Sequence, residues 1–493
     1  VEGNRDRFVD LLRGASMVLV VLGHWLVCDL VWVDGRLAET SALAEQPGLW
    51  PLTWLVAVIP VFFFVGGFSN ARSWRGCRRR REGYAAFVDR RTHRVLVPLL
   101  VYLAVVVPVG FAVSATSGLG VAVGGVLALQ PLWFLGVYLL VVAITPVMLA
   151  WHRHWGWAVP VTLLLVAVAC DLLRFGGGVA AVGNVNVFVI WLLVHQLGFL
   201  YADGRIGPPA AAAMTGLGLG CAVVLTQWDA LPYPSTMVGV PGLEQGNMHP
   251  PTVAAMALGI GAVGVALMAR AVVSGWLRQP RVWRTVVAVN LSVMTIYLWH
   301  QVALVVAARI VLPLGYPAPE PGSAGWWTAR LLWLLLPAAV LAGIVAVAGR
   351  AERITAPPAA PDTRRTRTAA VVAVVVLGVG VLALAGSDVL LTFAVRASGI
   401  GPVRIGVLVG LTLVAAAAVA LRGLRTGDAG TARAALAAAA LLAVVATGYA
   451  VGAGPLPVDS SAAAGLGVLA ALLGAVPLVP AAGLPAEATP ARR

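Results

Sequence analysis

The chain has 493 residues; 60% are hydrophobic and only 11% are charged, with a mean hydropathy of +0.92. A soluble domain carries about 25% charged residues, so the composition excludes one and predicts a polytopic membrane protein. The formal charge of +14 comes entirely from arginine, and these arginines collect in alternate short loops. That is the positive-inside pattern, which makes membrane lipid the expected partner and not nucleic acid.

The first apolar segment, near 12–30, holds Arg13 and His24. Eleven residues are about three helical turns, so both side chains share one face, with His24 roughly 16 Å further along the axis. Asp10 lies one turn before Arg13 and can pair with it. An ionisable residue inside a membrane helix is costly and points to function. A snorkelling Arg13 and a packed His24 are the structural alternative. Ala42-Leu43-Ala44 resembles a signal cleavage site, but cleavage there discards both residues, so the segment is expected to remain as a first span. The chain begins at Val1, and loss of at least an initiator methionine is expected.

Nine further spans follow near 50–68, 95–115, 130–150, 157–174, 186–202, 209–227, 251–270, 285–310 and 328–348. The loop after the first span carries Asp29, Asp34, Glu39 and Glu45 against Arg36, and is expected outside. The loop after the second carries Arg72, Arg75, Arg78–Arg81, Arg90, Arg91 and Arg94, and is expected in the cytoplasm. Arg153, Arg205, Arg278, Arg281 and Arg284 mark later inner loops, whereas 229–250 holds Asp229 and Glu244 and no arginine. Both ends of this unit, including the N-terminus, therefore face the cytoplasm of a cell whose plasma membrane it spans.

The organisation predicted is a ten-span domain over 1–350, a Pro/Arg-rich cytoplasmic linker over 351–368, and a hydrophobic module over 369–493. The module offers about four more spans, near 369–386, 403–421, 434–452 and 463–483. Their interiors hold almost no ionisable residue, so packing is their expected role. The fold class is all-α and polytopic.

The arginines around Arg78–Arg81 are the densest charge on the chain. They serve either as a topology anchor on anionic lipid or as a phosphate clamp, for which the guanidinium fork is suited. His93, His152, His154, His195, His249 and His300 are the other histidines. His152 and His154 flank Arg153 at an inner end and read as solvated interface positions. His195 and Gln196 form a polar pair in an apolar helix, and His300 ends Tyr297-Leu298-Trp299-His300, downstream of Asn290. No two histidines have the spacing, with a carboxylate, of a zinc helix, so no metal is expected. Cys28, Cys77, Cys170 and Cys221 are scattered without pair spacing. Most tryptophans read as interfacial belt residues; Trp25, beside His24 and deep in the span, either packs or lines a path.

Several segments, in order, resemble the membrane-bound acyltransferase 3 family, the bacterial O-acyltransferases that include O-antigen and polysaccharide O-acetylases. Arg13 and His24 match its arginine–ten residues–histidine signature within Asp10-Leu-Leu-Arg13-Gly14. Pro60-Val-Phe-Phe-Phe-Val-Gly66-Gly67-Phe68 is similar to its second-span pattern, although many members have Ser-Gly-Phe where this chain has Gly66-Gly67-Phe68. Arg90-Arg91-Thr-His-Arg94-Val-Leu-Val-Pro98, Leu132-Trp133-Phe134-Leu135 and Ile296-Tyr297-Leu298-Trp299-His300 resemble three further blocks. Residues 233–239 and 246–252 look like a loop of actinobacterial members. The resemblance covers 5–348 and leaves the C-terminal module outside it.

The resemblance implies transfer of an acyl group, most simply acetyl, from cytoplasmic acyl-coenzyme A to a hydroxyl of a carbohydrate or lipid-linked acceptor of the cell envelope. His24 is the expected general base, with Arg13 and Asp10 beside it as site residues. Arg72, Arg90, Arg91 and Arg94 are the expected donor-binding residues. Trp25, Trp133, His195, Asn290, Tyr297 and His300 are candidates for the substrate path. The alternative is a transporter or flippase for an acylated or glycosylated product, which calls for polar residues along several spans and often broken helices in two related halves. No such halves are legible.

Overall fold

The computed structural model describes residues 6–33, 36–117, 127–239, 246–248, 250–317, 319–350, 363–385 and 403–426. Among these residues nine helices are long and apolar enough to cross a membrane, or ten if one bent pair counts as a span. The all-α polytopic class holds.

Helix α1, Arg7–Val27, starts where the Asp6 carboxylate accepts from the Phe8 and Val9 amides at 3.1 and 3.3 Å. This cap satisfies orphan donors at a helix start. The expected outer loop contains a two-stranded antiparallel sheet, β1 Asp29–Val33 and β2 Arg36–Thr40, with Leu30 opposite Glu39. Asp29 ties it down, accepting from the Ala42 amide at 2.9 Å and pairing with Arg330 from a distant helix. Burial pushes the Glu39 carboxyl above its ordinary range; the Cys28 thiol donates to it at 3.7 Å.

The second span differs from the expected 50–68. It is a short helix α2, Pro51–Val56, and after a break α3, Ile59–Arg79. Pro60 sits in the first turn of α3, where a missing amide hydrogen costs nothing. The helix runs on past residue 68 through Arg72, Arg75, Arg78 and Arg79. Helix α4, Tyr84–Ser117, likewise begins well before 95.

Then come α5 Leu132–Trp155, α6 Ala158–Phe175, α7 Asn186–Ala202, α8 Pro208–Gln227, and the pair α9 Val253–Met268 and α10 Arg270–Trp276, bent by 54°. The expected span 285–310 is split at Ser292 into α11 Pro280–Leu291 and α12 Val293–Val311; α13 is Ala324–Ala348. Of the C-terminal module, α14 Arg364–Ala385 and α15 Val403–Thr426 are helical, with apolar stretches shorter than the other spans. The expected spans 434–452 and 463–483 lie outside the described residues. Helix α14 packs on α5 so closely that a Cβ on Gly136 meets Leu382 at 2.6 Å.

Small residues set the other close crossings, as in membrane bundles generally. A Cβ added to Gly67 of α3 lies 1.9 Å from the His195 carbonyl oxygen of α7, and one on Gly198 lies 2.2 Å from the Phe64 carbonyl oxygen. A Cβ on Gly23 of α1 lies 2.7 Å from Val56 of α2. Helices α3 and α7 therefore touch backbone to backbone at the centre of the bundle.

The arginine-rich ends of the helices are fastened by polar groups. His152 is buried, not solvated as its flanking charge suggests. Its Nδ1 accepts from the Gln196 amide at 2.7 Å and its Nε2 donates to Asp203 at 2.9 Å, while Arg75 pairs with the same carboxylate. The Gln196 half of the expected polar pair thus joins α5 to α7.

Candidate active site

Helix α1 carries the site. His24 Nδ1 is 3.0 Å from His300 Nε2, and the two rings stack with centroids 5.0 Å apart. His300 Nδ1 is 2.6 Å from the Tyr297 carbonyl oxygen. A carbonyl only accepts, so His300 holds its proton on Nδ1 and, when neutral, presents Nε2 as a lone pair. His24 must then donate from Nδ1, which leaves the His24 lone pair on Nε2. A chain of two hydrogen bonds thus fixes the tautomer of His24, the role that second partners of functional histidines commonly play.

Trp25, 2% exposed, donates its indole N–H to the His300 carbonyl at 3.1 Å. It holds α12 against α1 and packs, one of its two readings. Tyr297 donates to the Pro131 carbonyl at the start of α5, and its ring meets Phe134 at 5.6 Å. Two of the candidate path residues on α12 therefore position His24, one directly and one through the backbone.

At the N-terminal end of the same helix face, Asp10 pairs with Arg13 at 3.1 Å, as the spacing predicts. Arg13 also donates to Ser69 Oγ at 2.6 Å, and Arg91 donates to the Ser69 carbonyl. Two guanidinium groups from α1 and α4 thus converge on one residue of α3. Asn290 donates to the Asp10 carbonyl at 2.9 Å and supports the start of α1.

Between these ends runs a partly exposed stripe inside the bundle. On α3, Ile59, Phe62 and Ser69 are partly exposed among buried neighbours, with Gly66 on the same face. Arg13, Val20 and His24 of α1 and Trp133 and Tyr138 of α5 are partly exposed too. The Phe62 ring lies 6.1 Å from Tyr138 and 5.0 Å from Phe134, so this face is interior and not turned to lipid.

His195 does not join His24. It is fully buried on α7, with Nε2 3.1 Å from the Asn70 amide nitrogen. The expected donor arginines have separate surroundings. Arg72 lies over the Phe68 ring at 5.3 Å, Arg90 pairs with Glu82, Arg91 turns inward to Ser69, and Arg94 is exposed. Burial opposes the charge on Glu82, but Arg80 and Arg90 outweigh it and hold the carboxyl below its ordinary range.

The loop segments 233–239 and 246–252 form a clamp at the end of the bundle that holds α2. Asn247 donates to the Pro234 and Thr236 carbonyls at 2.6 and 2.8 Å, and Asp171 accepts from Tyr233 at 3.1 Å and from the Val253 amide at 2.8 Å. Trp54 donates to the Ser235 carbonyl at 2.9 Å, and the Met237 amide to Thr53 at 3.0 Å. Because Trp54 and Thr53 belong to α2, the clamp bears on the helix that touches Gly23, next to His24. His249 lies outside the described residues.

The acyltransferase-domain family matches residues 6–349, which include every residue of the site. The chain is a member of the acyltransferase 3 family. No curated protein and no solved structure matches it. Membership makes it a membrane acyltransferase. Residues 369–385 and 403–426, the described part of the C-terminal module, lie outside the family match.

Ser69, Asn70 and Tyr138 are site residues that the sequence reading missed. Ser69 and Asn70 fall just past the apolar run that set the boundary of the second span at 68. A seven-residue step from Phe62 through Gly66 to Ser69 was the available signal. Tyr138 lies one turn beyond Phe134 in a helix of otherwise uniform hydropathy.

Proposed function

We propose that this acyltransferase moves an acyl group, acetyl in the simplest case, from cytoplasmic acyl-coenzyme A to a hydroxyl of a carbohydrate or lipid-linked acceptor, with His24 as general base. The hydrogen-bond chain from the Tyr297 carbonyl through His300 to His24 carries this reading, because it keeps the lone pair of His24 on Nε2, and His24 shares a helix face with Arg13. His24 Nε2 takes the proton of the acceptor hydroxyl as its oxygen attacks the thioester carbonyl carbon. The tetrahedral intermediate collapses, the C–S bond breaks, and the imidazolium returns the proton to the leaving thiolate. His300 Nε2 accepts from the transient imidazolium and stabilises it. General-base help of this kind contributes typically about 10²–10⁴-fold.

The donor reaches the site from the arginine-rich side. Arg72, Arg90 and Arg94 hold its phosphates, and Arg13 and Arg91 complete the positive lining further in. The purified protein in detergent is expected to release coenzyme A from acetyl-coenzyme A. Absence of turnover from acyl-coenzyme A donors of any chain length, in monodisperse protein, sinks the donor assignment.

Phosphate contacts are equal in ground and transition states, so their loss raises KM more than it lowers kcat. Replacing Arg72, Arg90 and Arg94 by glutamine is expected to raise KM for the donor, and added salt to reproduce part of the effect. An unchanged KM returns these arginines to the role of topology anchors.

We also propose that the protein lies in the plasma membrane with its N-terminus, residues 70–94 and 349–368 in the cytoplasm and 229–250 outside. Single cysteines introduced into a cysteine-free variant are expected to label from outside at 229–250 only. External labelling at residue 79 removes the cytoplasmic donor route.

A further inference from the structure

Close to the converging guanidinium groups lies a set of buried polar atoms that no protein group satisfies. Asn70 Oδ1, His195 Nδ1 and Arg91 Nε have no hydrogen-bond partner. Asn70 and His195 are both fully buried and joined to each other at 3.1 Å. Arg91 is brought to the same level by its bond to Ser69, the residue before Asn70. Native interiors leave few such atoms unsatisfied, and several in one place call for an occupant.

The donor and acceptor pattern defines that occupant. The Asn70 side-chain nitrogen only donates, so His195 Nε2 is the acceptor and neutral His195 carries its hydrogen on Nδ1. The cluster therefore offers one acceptor, Asn70 Oδ1, and two donors, His195 Nδ1–H and Arg91 Nε–H. A secondary amide is the complement: one N–H and one carbonyl with two lone pairs. Position points the same way. The buried His195 ring lies 3.8 Å from a Cβ placed on Gly66, which also meets Tyr138 at 3.5 Å, so His195 backs the partly exposed stripe between Arg13 and His24.

We propose that Asn70, His195 and Arg91 form a secondary-amide subsite that holds the pantetheine arm of the donor between the cytoplasmic arginines and His24. The inference rests on the acyl-coenzyme A reading. That donor carries two secondary amides between its phosphates and its sulfur, and each needs partners once it leaves water. The amide N–H donates to Asn70 Oδ1, and its carbonyl accepts from Arg91 or His195.

The full chain in detergent tests this with S-acetylpantetheine and two analogues, each with one amide N–H replaced by an ester oxygen. Loss of a hydrogen bond made in a dry site is expected to lower kcat/KM about tenfold for one of the two analogues. Asn70→Leu is expected to reduce that difference to about onefold, with acetyl-coenzyme A turnover weakened mainly through KM. Equal use of all three donors by the unaltered protein overturns the subsite, whether or not Asn70→Leu folds, and so does a tenfold difference that survives in folded Asn70→Leu. Turnover of acetyl-coenzyme A by the unaltered protein separates these outcomes from failure of the donor reading, which gives no turnover of any thioester.

Discussion

His24→Gln is expected to lower kcat by about 10²–10⁴-fold while the protein still inserts and purifies as a single species. Glutamine keeps a hydrogen-bonding group near His300 but has no nitrogen that takes a proton. The position lies between His300 and the partly exposed face shared with Arg13, so the loss should fall on kcat and leave KM for the donor close to its original value. His300→Leu is expected to cost less, because His24 keeps its base and loses only the partner that fixes its tautomer. Both effects are read as transfer of labelled acyl groups in detergent. Near-normal kcat in His24→Gln makes the imidazole structural.

Gly67→Ala is expected to destabilise the protein by about 3 kcal/mol or more, seen as a loss of folded, monodisperse material and of thermal stability in detergent. The new methyl group meets a backbone carbonyl at 1.9 Å, and a backbone cannot rotate out of the way as a side chain does. Ordinary overpacking costs about 1–3 kcal/mol, and this contact lies at the severe end. Gly66→Ser is the control. A Cβ there meets Tyr138 at 3.5 Å, an ordinary contact, so the serine found in many family members fits this bundle within about 1 kcal/mol. Equal stability of Gly67→Ala and the unaltered chain means that α3 and α7 are further apart than described.

Much of this site was legible because charge inside an apolar segment is rare and needs a reason. The shared face of Arg13 and His24 and the Asp10–Arg13 ion pair follow from helical spacing, and the structure has both; their reading as site residues came from the family resemblance. The pairing of His24 with His300 was not legible, because the two lie 276 positions apart and no periodicity links one helix to another. His195 looked equivalent to His300 by composition; only the contact of Gly67 with its carbonyl sends it to Asn70 instead. Helix ends were misread for a related reason. Apolar runs mark where a chain meets lipid, whereas α3 and α4 continue into the arginine-rich region, where the backbone pattern is still satisfied. The break at Ser292 and the hairpin after Cys28 depend on tertiary packing and turn geometry, which hydropathy does not record.

The backbone contact between Gly67 and Gly198 also bears on how the machine can move. Two helices that touch carbonyl to Cα have no clearance for sliding: a shift by one residue brings Phe68 or Phe199 into the space of a hydrogen atom. Helices α3 and α7 therefore behave as one rigid body. A carrier that works by rocking two halves about a central substrate needs its pivot elsewhere, away from this weld. A stationary scaffold has no such need. On the proposed function, donor and acceptor approach one fixed imidazole from opposite sides of the membrane, and the acyl group alone makes the crossing.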